Sequence, residues 1–216
     1  MKQIGITGPM GSGKSFICSI FNEEFGIPVF DSDAEAKACY AEPAVRTAVR
    51  NAFGPEVVLP DGTVNLKELS RIVFADASRL ERLNSIVHPA VMRRYREWAG
   101  QQAGAPYTLF ESAIIYECGL AHLFDAVIRI SCPESLSIAR VKARNGWDEG
   151  AIRQRLQKQN GDANPEESAA TTFIIRHDST LPLEQSRKAL LPQLTRIHDG
   201  IISLPMHNNP DKPTLH

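Results

Sequence analysis

Paired cysteines are missing from this chain: Cys18, Cys39, Cys118 and Cys132 are scattered with no C-x-x-C spacing. That argues against a zinc knuckle or a disulfide framework and points to a reducing compartment. No run approaches the roughly 18 consecutive apolar residues of a membrane-spanning helix, so no membrane partner is expected. A surplus of one charge is missing too, since 24 Lys and Arg face 25 Asp and Glu for a net charge of −1. Such a chain has no global positive field for nucleic acid, none is expected as a partner, and any anionic ligand must be held locally. Internal repeats are absent, and 43% hydrophobic with 23% charged residues lies near globular averages, which excludes disorder and coiled coil. The first chemical motif starts at Gly8 behind a strand-like run, leaving no room for a signal peptide. A cytoplasmic location is expected.

What the chain does have is an alternation of short apolar runs with longer helical stretches, the pattern of a parallel sheet covered by helices. Residues 3–7, 27–30, 107–110, 126–131 and 173–176 read as strands brief enough to be buried on both faces. More than seventy residues separate the second from the third, far more than a crossover needs. Helices are expected there over 34–40, 43–53 and 65–74, with a turn at 59–62, and one or two more over 78–98. One domain over 1–204 is therefore expected, its core formed by 1–32, 104–132 and 172–204. It carries a helical insertion over 33–103 and a helical lid region over 133–171, and 205–216 is expected to be a disordered tail. The fold class is α/β, a five-stranded parallel sheet covered by helices, with a helical insertion.

Gly8-Pro9-Met10-Gly11-Ser12-Gly13-Lys14-Ser15 satisfies G-x-x-x-x-G-K-[ST], follows a strand and opens an amphipathic helix whose apolar positions include Ile17, Ile20 and Phe21. Glycines let backbone amides turn inward without Cβ clashes, and the helix N-terminus adds partial positive charge toward a polyphosphate. Lys14 would lie along the β- and γ-phosphates as a point charge, and the Ser15 hydroxyl would ligate a Mg²⁺ bridging them. A nucleoside triphosphate with Mg²⁺ is the expected donor. No N-K-x-D guanine signature follows the fourth strand, where Ser131-Cys132-Pro133-Glu134 stands. The long insertion suits a small-molecule kinase whose lid closes over the phosphates.

Carboxylates end two strands at the sheet edge where open α/β folds bind ligands. After the second strand come Asp31-Ser32-Asp33: one would orient an acceptor hydroxyl and the other a magnesium-bound water, or Asp31 or Ser32 would cap a helix. Glu111 ends the third strand and would orient a magnesium water or an acceptor group, or cap a helix starting near Ser112. His88, with Arg82, Arg93, Arg94 and Arg96 nearby, would bind an acceptor phosphate or serve structure alone. Another small-molecule or nucleoside monophosphate kinase, and a nucleotide-dependent switch, stay open as alternatives.

Ile4-Gly5-Ile6-Thr7 running into the P-loop, Ser32-Asp33 with Ala36, His88-Pro89, Glu111-Ser112-Ala113-Ile114-Ile115, and Arg140, Arg144 and Gln159 at lid spacing together resemble the dephospho-CoA kinase family. The resemblance runs from Lys2 to about Leu194 and implies a P-loop kinase-like three-layer fold with a five-stranded parallel sheet, a helical acceptor-binding insertion and a helical lid. It implies transfer of the ATP γ-phosphate to the ribose 3'-hydroxyl of dephospho-CoA, the last step of coenzyme A synthesis, with ATP and dephospho-CoA as partners of a monomer or weak homo-oligomer. The catalytic residues it implies are Asp33 on the acceptor hydroxyl, Lys14 and the lid's Arg140. ATP binding falls to Gly8, Gly11, Ser12, Gly13, Lys14, Ser15, Phe16, Arg144 and His177, and acceptor binding to Asp33, His88 and Glu111. Ser15 would hold Mg²⁺, with Asp31 or Glu111 acting through water. The chain departs from the family's pattern after Gln159, where Asn160, Gly161 and Asp162 stand in place of a basic residue. It departs again near the fifth strand, where Thr172 replaces an acid, His177 stands near an Asn position and Ser179 replaces a Gly.

Overall fold

The computed structural model describes residues 1–160 and 171–205, with Lys158 and Asn160 as backbone alone. Residues 161–170 of the expected lid region and all but the first residue of the expected tail lie outside the described residues. In chain order the elements are β1 (Lys2–Thr7), α1 (Lys14–Phe25), β2 (Val29–Asp31), α2 (Ser32–Cys39), α3 (Pro43–Phe53), α4 (Leu66–Val73), α5 (Ala77–Gly100), β3 (Tyr107–Glu111), β4 (Ala126–Ser131), α6 (Glu134–Asn145), α7 (Glu149–Asn160), β5 (Thr171–Arg176) and α8 (Leu183–Ser203). The chain divides into two compact units, residues 1–30 with 102–205, and Asp31–Gln101.

The first unit is built on a five-stranded sheet of order β2-β3-β1-β4-β5, whose β1–β3, β1–β4 and β4–β5 ladders run parallel. β1 is buried along its whole length. Ile4 and Ile6 pack with Ile17, Ile20 and Phe21 of α1 and with Leu190, Leu194 and Ile201 of α8 on one face. Each such side chain removed from water contributes about 1.5–3 kcal/mol. On the opposite face Gly5 admits the chain between β3 and β4, because a Cβ there would meet Ile115 at 2.8 Å and Phe124 at 3.1 Å. Lys2 is held at this depth by the C-terminus of α8, donating from Nζ to the Ile201 and Ile202 carbonyls at 3.0 and 2.6 Å. A cation at that helix end also complements its dipole.

Three elements differ from the sequence expectation. Ile27 finishes α1 instead of starting β2: Gly26 takes a left-handed φ of 65°, its amide reaches Asn22 O, and the Ile27 amide reaches Phe21 O at 3.2 Å. These bonds satisfy the last helical carbonyls. β5 begins at Thr171, two residues early, paired with Ala126. The helix expected near Ser112 is absent, and residues 112–119 form turns that lead into a short 3-10 helix, Leu120–Leu123. Burying Ile115 completely overrides local helix propensity there.

The second unit is helical. Asp31 caps α2 by accepting from the Asp33 and Ala34 amides at 3.0 Å, Asn65 caps α4 and Asp76 caps α5. α5 runs unbroken for 24 residues although Pro89 lies inside it. Leu83, Val87, Ala90, Val91, Tyr95 and Ala99 form a buried stripe on both sides of the proline, which offsets the roughly 3 kcal/mol cost of an interior Pro.

Candidate active site

The P-loop joins β1 to α1 through two glycines that no other residue replaces cheaply. Gly11 has φ 80°, and a Cβ there would lie 2.5 Å from the Ser137 carbonyl; Gly13 has φ 92°, and a Cβ there would lie 2.6 Å from the His177 ring. Gly13 is also the N-cap of α1 and provides no side-chain cap. The first intrahelical bond runs from Ile17 N to Gly13 O at 3.0 Å, so the amides of the first turn precede the helical ladder. This leaves the positive end of the helix for an anion. Lys14 folds over the loop and donates from Nζ to Gly8 O at 2.8 Å and Pro9 O at 3.3 Å. Ser12 is fully buried and its hydroxyl has no hydrogen-bond partner among the described residues.

Ser15 follows, exposed, and its Oγ donates to Glu111 Oε1 at 2.7 Å. Glu111 is therefore engaged by the P-loop, with no helix behind it to cap. The hydroxyl and the carboxylate together are hard oxygen donors of the kind magnesium takes alongside phosphate oxygens and water. Among the described residues no group of three or more His, Cys, Asp or Glu forms a separate metal cage.

The outer edge of the loop is braced from α6 and from the end of β5. His177 is 4% exposed, and its Nδ1 lies 2.7 Å from the Ser12 carbonyl. A carbonyl only accepts, so Nδ1 carries the proton and Nε2 presents a lone pair to Arg140 Nη2 at 3.3 Å. Burial pushes the His177 pKa below the usual imidazole value. The Arg140 charge pushes the same way, against the Ser12 hydrogen bond and the Asp178 charge. Arg140 donates to Ser179 O at 2.8 Å and lies 3.4 Å from the Gly11 and Ser12 carbonyls. Phe16 sets its ring 5.9 Å from that of His177. From α7, Gln159 Oε1 accepts from the Met10 amide at 2.9 Å. Arg144 is not brought to the loop: it is exposed and donates to its neighbour Asn145.

Asp31, Asp33 and His88 belong to the second unit. Asp31 Oδ1 caps α2 by accepting from the Asp33 and Ala34 amides, which is one of the two roles expected of it. Asp33 stands exposed in the first turn of that helix. His88 is half-buried in α5, and burial lowers its pKa. Of the arginines around it, Arg94 pairs with Glu35 at 2.5 Å and with Glu42 at 3.3 Å, and Arg93 also pairs with Glu42. Sequence reasoning did not reveal the Ser137 backing of Gly11 or the Arg140 bond to Ser179, whose partners lie 126 and 39 residues apart. No local spacing signals either.

A glycine-turned loop, a lysine and a hydroxyl at an uncapped helix N-terminus, on a sheet of order 2-3-1-4-5, together define a phosphotransferase of the P-loop kinase class. Comparison with known proteins narrows this. Residues 2–182 match the family model of dephospho-CoA kinase, and the chain belongs to that family. It is accordingly an ATP-dependent kinase. It is 38% identical to a dephospho-CoA kinase of Salinibacter ruber over 84% of this chain and 91% of that one. It is 32% identical to one of Porphyromonas gingivalis over 93% and 95%. Among solved structures, a Thermus thermophilus protein superposes with a TM-score of 0.72 at 28% identity, covering 91% of this chain and 97% of that one. The dephospho-CoA kinase of Campylobacter jejuni shares the fold, with a TM-score of 0.62 at 21% identity over 92% and 98%.

Proposed function

We propose that the chain transfers the ATP γ-phosphate to the ribose 3'-hydroxyl of dephospho-CoA, giving CoA and ADP, and that its residues divide the work as follows. The amides at the start of α1 and Lys14 hold the triphosphate. Lys14 exchanges its bonds to Gly8 O and Pro9 O for phosphate oxygens, so a charge already lodged at the loop is redirected with little reorganisation. Ser15 and Glu111 would hold Mg²⁺, which would supply positive charge to offset the negative charge of the phosphates. Arg140 keeps the loop's outer edge in place and supplies positive charge beside it.

Asp33 takes the acceptor side, orienting the hydroxyl and receiving its proton as the new P–O bond forms. In a loose phosphoryl-transfer transition state that proton moves late, so positioning carries more of the rate than deprotonation. Residues 33–103 bind the acceptor, with His88 among the contacts, and the helices of 133–171 close over the nucleotide. The chain acts in the cytoplasm, without membrane or nucleic acid, as a monomer or weak homo-oligomer. In the described residues no helix is long and apolar enough to cross a membrane.

The observation that carries this reading is the hydrogen bond between Ser15 and Glu111 at the mouth of the P-loop, which joins a metal-binding hydroxyl to a carboxylate at the sheet's carboxyl edge. The test is incubation with MgATP and dephospho-CoA, followed by mass spectrometry of the products. ADP and a product heavier by one phosphoryl group are expected. Absence of both overturns the assignment.

A further inference from the structure

The face of α2 that meets α5, within one compact unit, is built from small and polar side chains. Ser32 and Cys39 are buried there, with Glu35 and Ala36 half-buried between them, at the spacing of one helical stripe. Cys39 brings a single thiol to that stripe, so burial of apolar surface does little to fix the helix. Eight residues are also too few for a helix to hold its shape unaided in water. Where α2 lies, and how it is rolled about its own axis, therefore depend on polar contacts.

Those contacts converge on Arg94 of α5. Its Nε donates to Glu35 Oε2 at 2.6 Å, its Nη2 lies 2.5 Å from the same oxygen, and its Nη1 donates to Glu42 Oε1 at 3.3 Å. One guanidinium thus bridges a carboxylate in the middle of α2 and another at the N-cap of α3. Arg93 pairs with Glu42 as well. The Arg94 and Glu35 side chains are 33% and 32% exposed, so water and salt screen this pair less than one in open solvent. Asp31, by contrast, bonds only amides of the first turn of α2, which fixes where the helix starts and not how it is rolled against α5.

The clamp lies two residues from Asp33. With 3.6 residues per turn, side chains at positions 33 and 35 point about 200° apart, so Glu35 turns toward α5 and Asp33 stands on the exposed side. Any roll of α2 swings Asp33 through the same angle. We propose that Arg94 is a positioning residue for phosphoryl transfer: by clamping Glu35 it sets the roll of α2, and with it the direction of the Asp33 carboxylate toward the acceptor hydroxyl. This rests on the acceptor-side role proposed for Asp33. It gives Arg94 a task other than the acceptor-phosphate contact that its place near His88 suggests, since its fork is turned on two carboxylates.

The test compares wild type, Arg94→Met, Asp33→Asn and the double variant as full-length proteins, with MgATP and dephospho-CoA each varied. Arg94→Met is expected to lower kcat by about 10- to 100-fold, the cost of a small misplacement of a reacting group, and to change the KM for ATP by no more than about twofold. Arg94→Lys is expected to recover only part of that loss, because a point charge does not fix the Glu35 carboxylate as the planar fork does. In the Asp33→Asn background the change Arg94→Met is expected to cost less than about threefold, since the group that Arg94 aims is already gone. Equal fold losses in both backgrounds, or wild-type kcat in Arg94→Met, overturn the proposal. A readout without substrate accompanies the kinetics: the amide residual dipolar couplings of α2 are expected to shift in Arg94→Met while those of α5 keep their values. Unchanged α2 couplings overturn the proposal as well. Should wild type fail to phosphorylate dephospho-CoA, the proposed function falls, and the couplings still decide whether Arg94 sets the roll of α2. Glu35→Gln loosens the same clamp from its other partner and is expected to show the same background-dependent loss, which decides the matter if Arg94→Met does not fold.

Discussion

Ser15 Oγ donates to Glu111 Oε1 across 2.7 Å, tying the first turn of α1 to the last residue of β3. Replacing Glu111 with Gln keeps an acceptor of the same size for that hydroxyl but removes the negative charge. The half-saturating magnesium concentration is expected to rise about 10- to 100-fold, with a smaller change in kcat once the metal is saturating. Initial rates against magnesium at saturating ATP and dephospho-CoA measure this. An unchanged magnesium requirement would remove Glu111 from the metal site.

Lys14 holds its own loop's carbonyls at 2.8 and 3.3 Å, so its ammonium is positioned before nucleotide arrives. Lys14→Ala is expected to lower kcat by about 10²- to 10³-fold, the usual cost of removing one preorganised stabiliser. The glycine turns that shape the loop remain in the variant, so its melting temperature is expected to move little. Turnover at the wild-type rate would contradict the role.

Asp33 stands exposed in the first turn of α2, where a carboxylate is also favoured by the helix dipole. Asp33→Asn gives up about 0.3–1 kcal/mol of that interaction, too little to unfold the helix. A fall in kcat of about 10²-fold is expected, at the low end for general-base help because the proton moves late, with the KM for ATP nearly unchanged. Steady-state kinetics with each substrate varied separates the two effects. A raised KM for ATP with normal kcat would move Asp33 to the nucleotide side.

The parts of the site that were legible in the sequence are those encoded over a few residues. The P-loop spacing requires left-handed glycines, and Gly11 and Gly13 have them. β4 covers Ala126–Ser131 as its apolar run suggests, and α3 starts at Pro43, the residue that favours a first helical turn. The parts that were not legible depend on partners far apart in the chain. His177 reaches Ser12 across 165 residues, and Arg94 is neutralised by Glu35 from 59 residues upstream. The expected helix after Glu111 failed for the same reason, because Ile115 is recruited against Gly5 of the central strand. Local propensity says nothing of that contact.

His177 makes the site's stability depend on pH, and the sign follows from its environment. Burial, reinforced by the Arg140 charge, holds its folded pKa below the ordinary value of about 6.5. Below that pH the unfolded chain binds a proton that the folded chain resists, so the stabilisation is complete above about pH 6.5 and is lost as pH falls toward the folded value. Protonation would also place an Nε2–H against the Arg140 guanidinium, which is 3.3 Å away, and loosen that contact while the Ser12 carbonyl still favours the charged ring. His88 and His198 are lowered by burial as well, so removing His177 takes away only part of the acid sensitivity. His177→Asn is expected to cost about 1 kcal/mol at pH 7.5 if the Ser12 bond is lost, and to flatten the fall in stability between pH 7 and pH 5. Urea unfolding of both proteins across that range measures the slopes. Parallel curves would show that His177 does not titrate on unfolding and that the brace is indifferent to its charge.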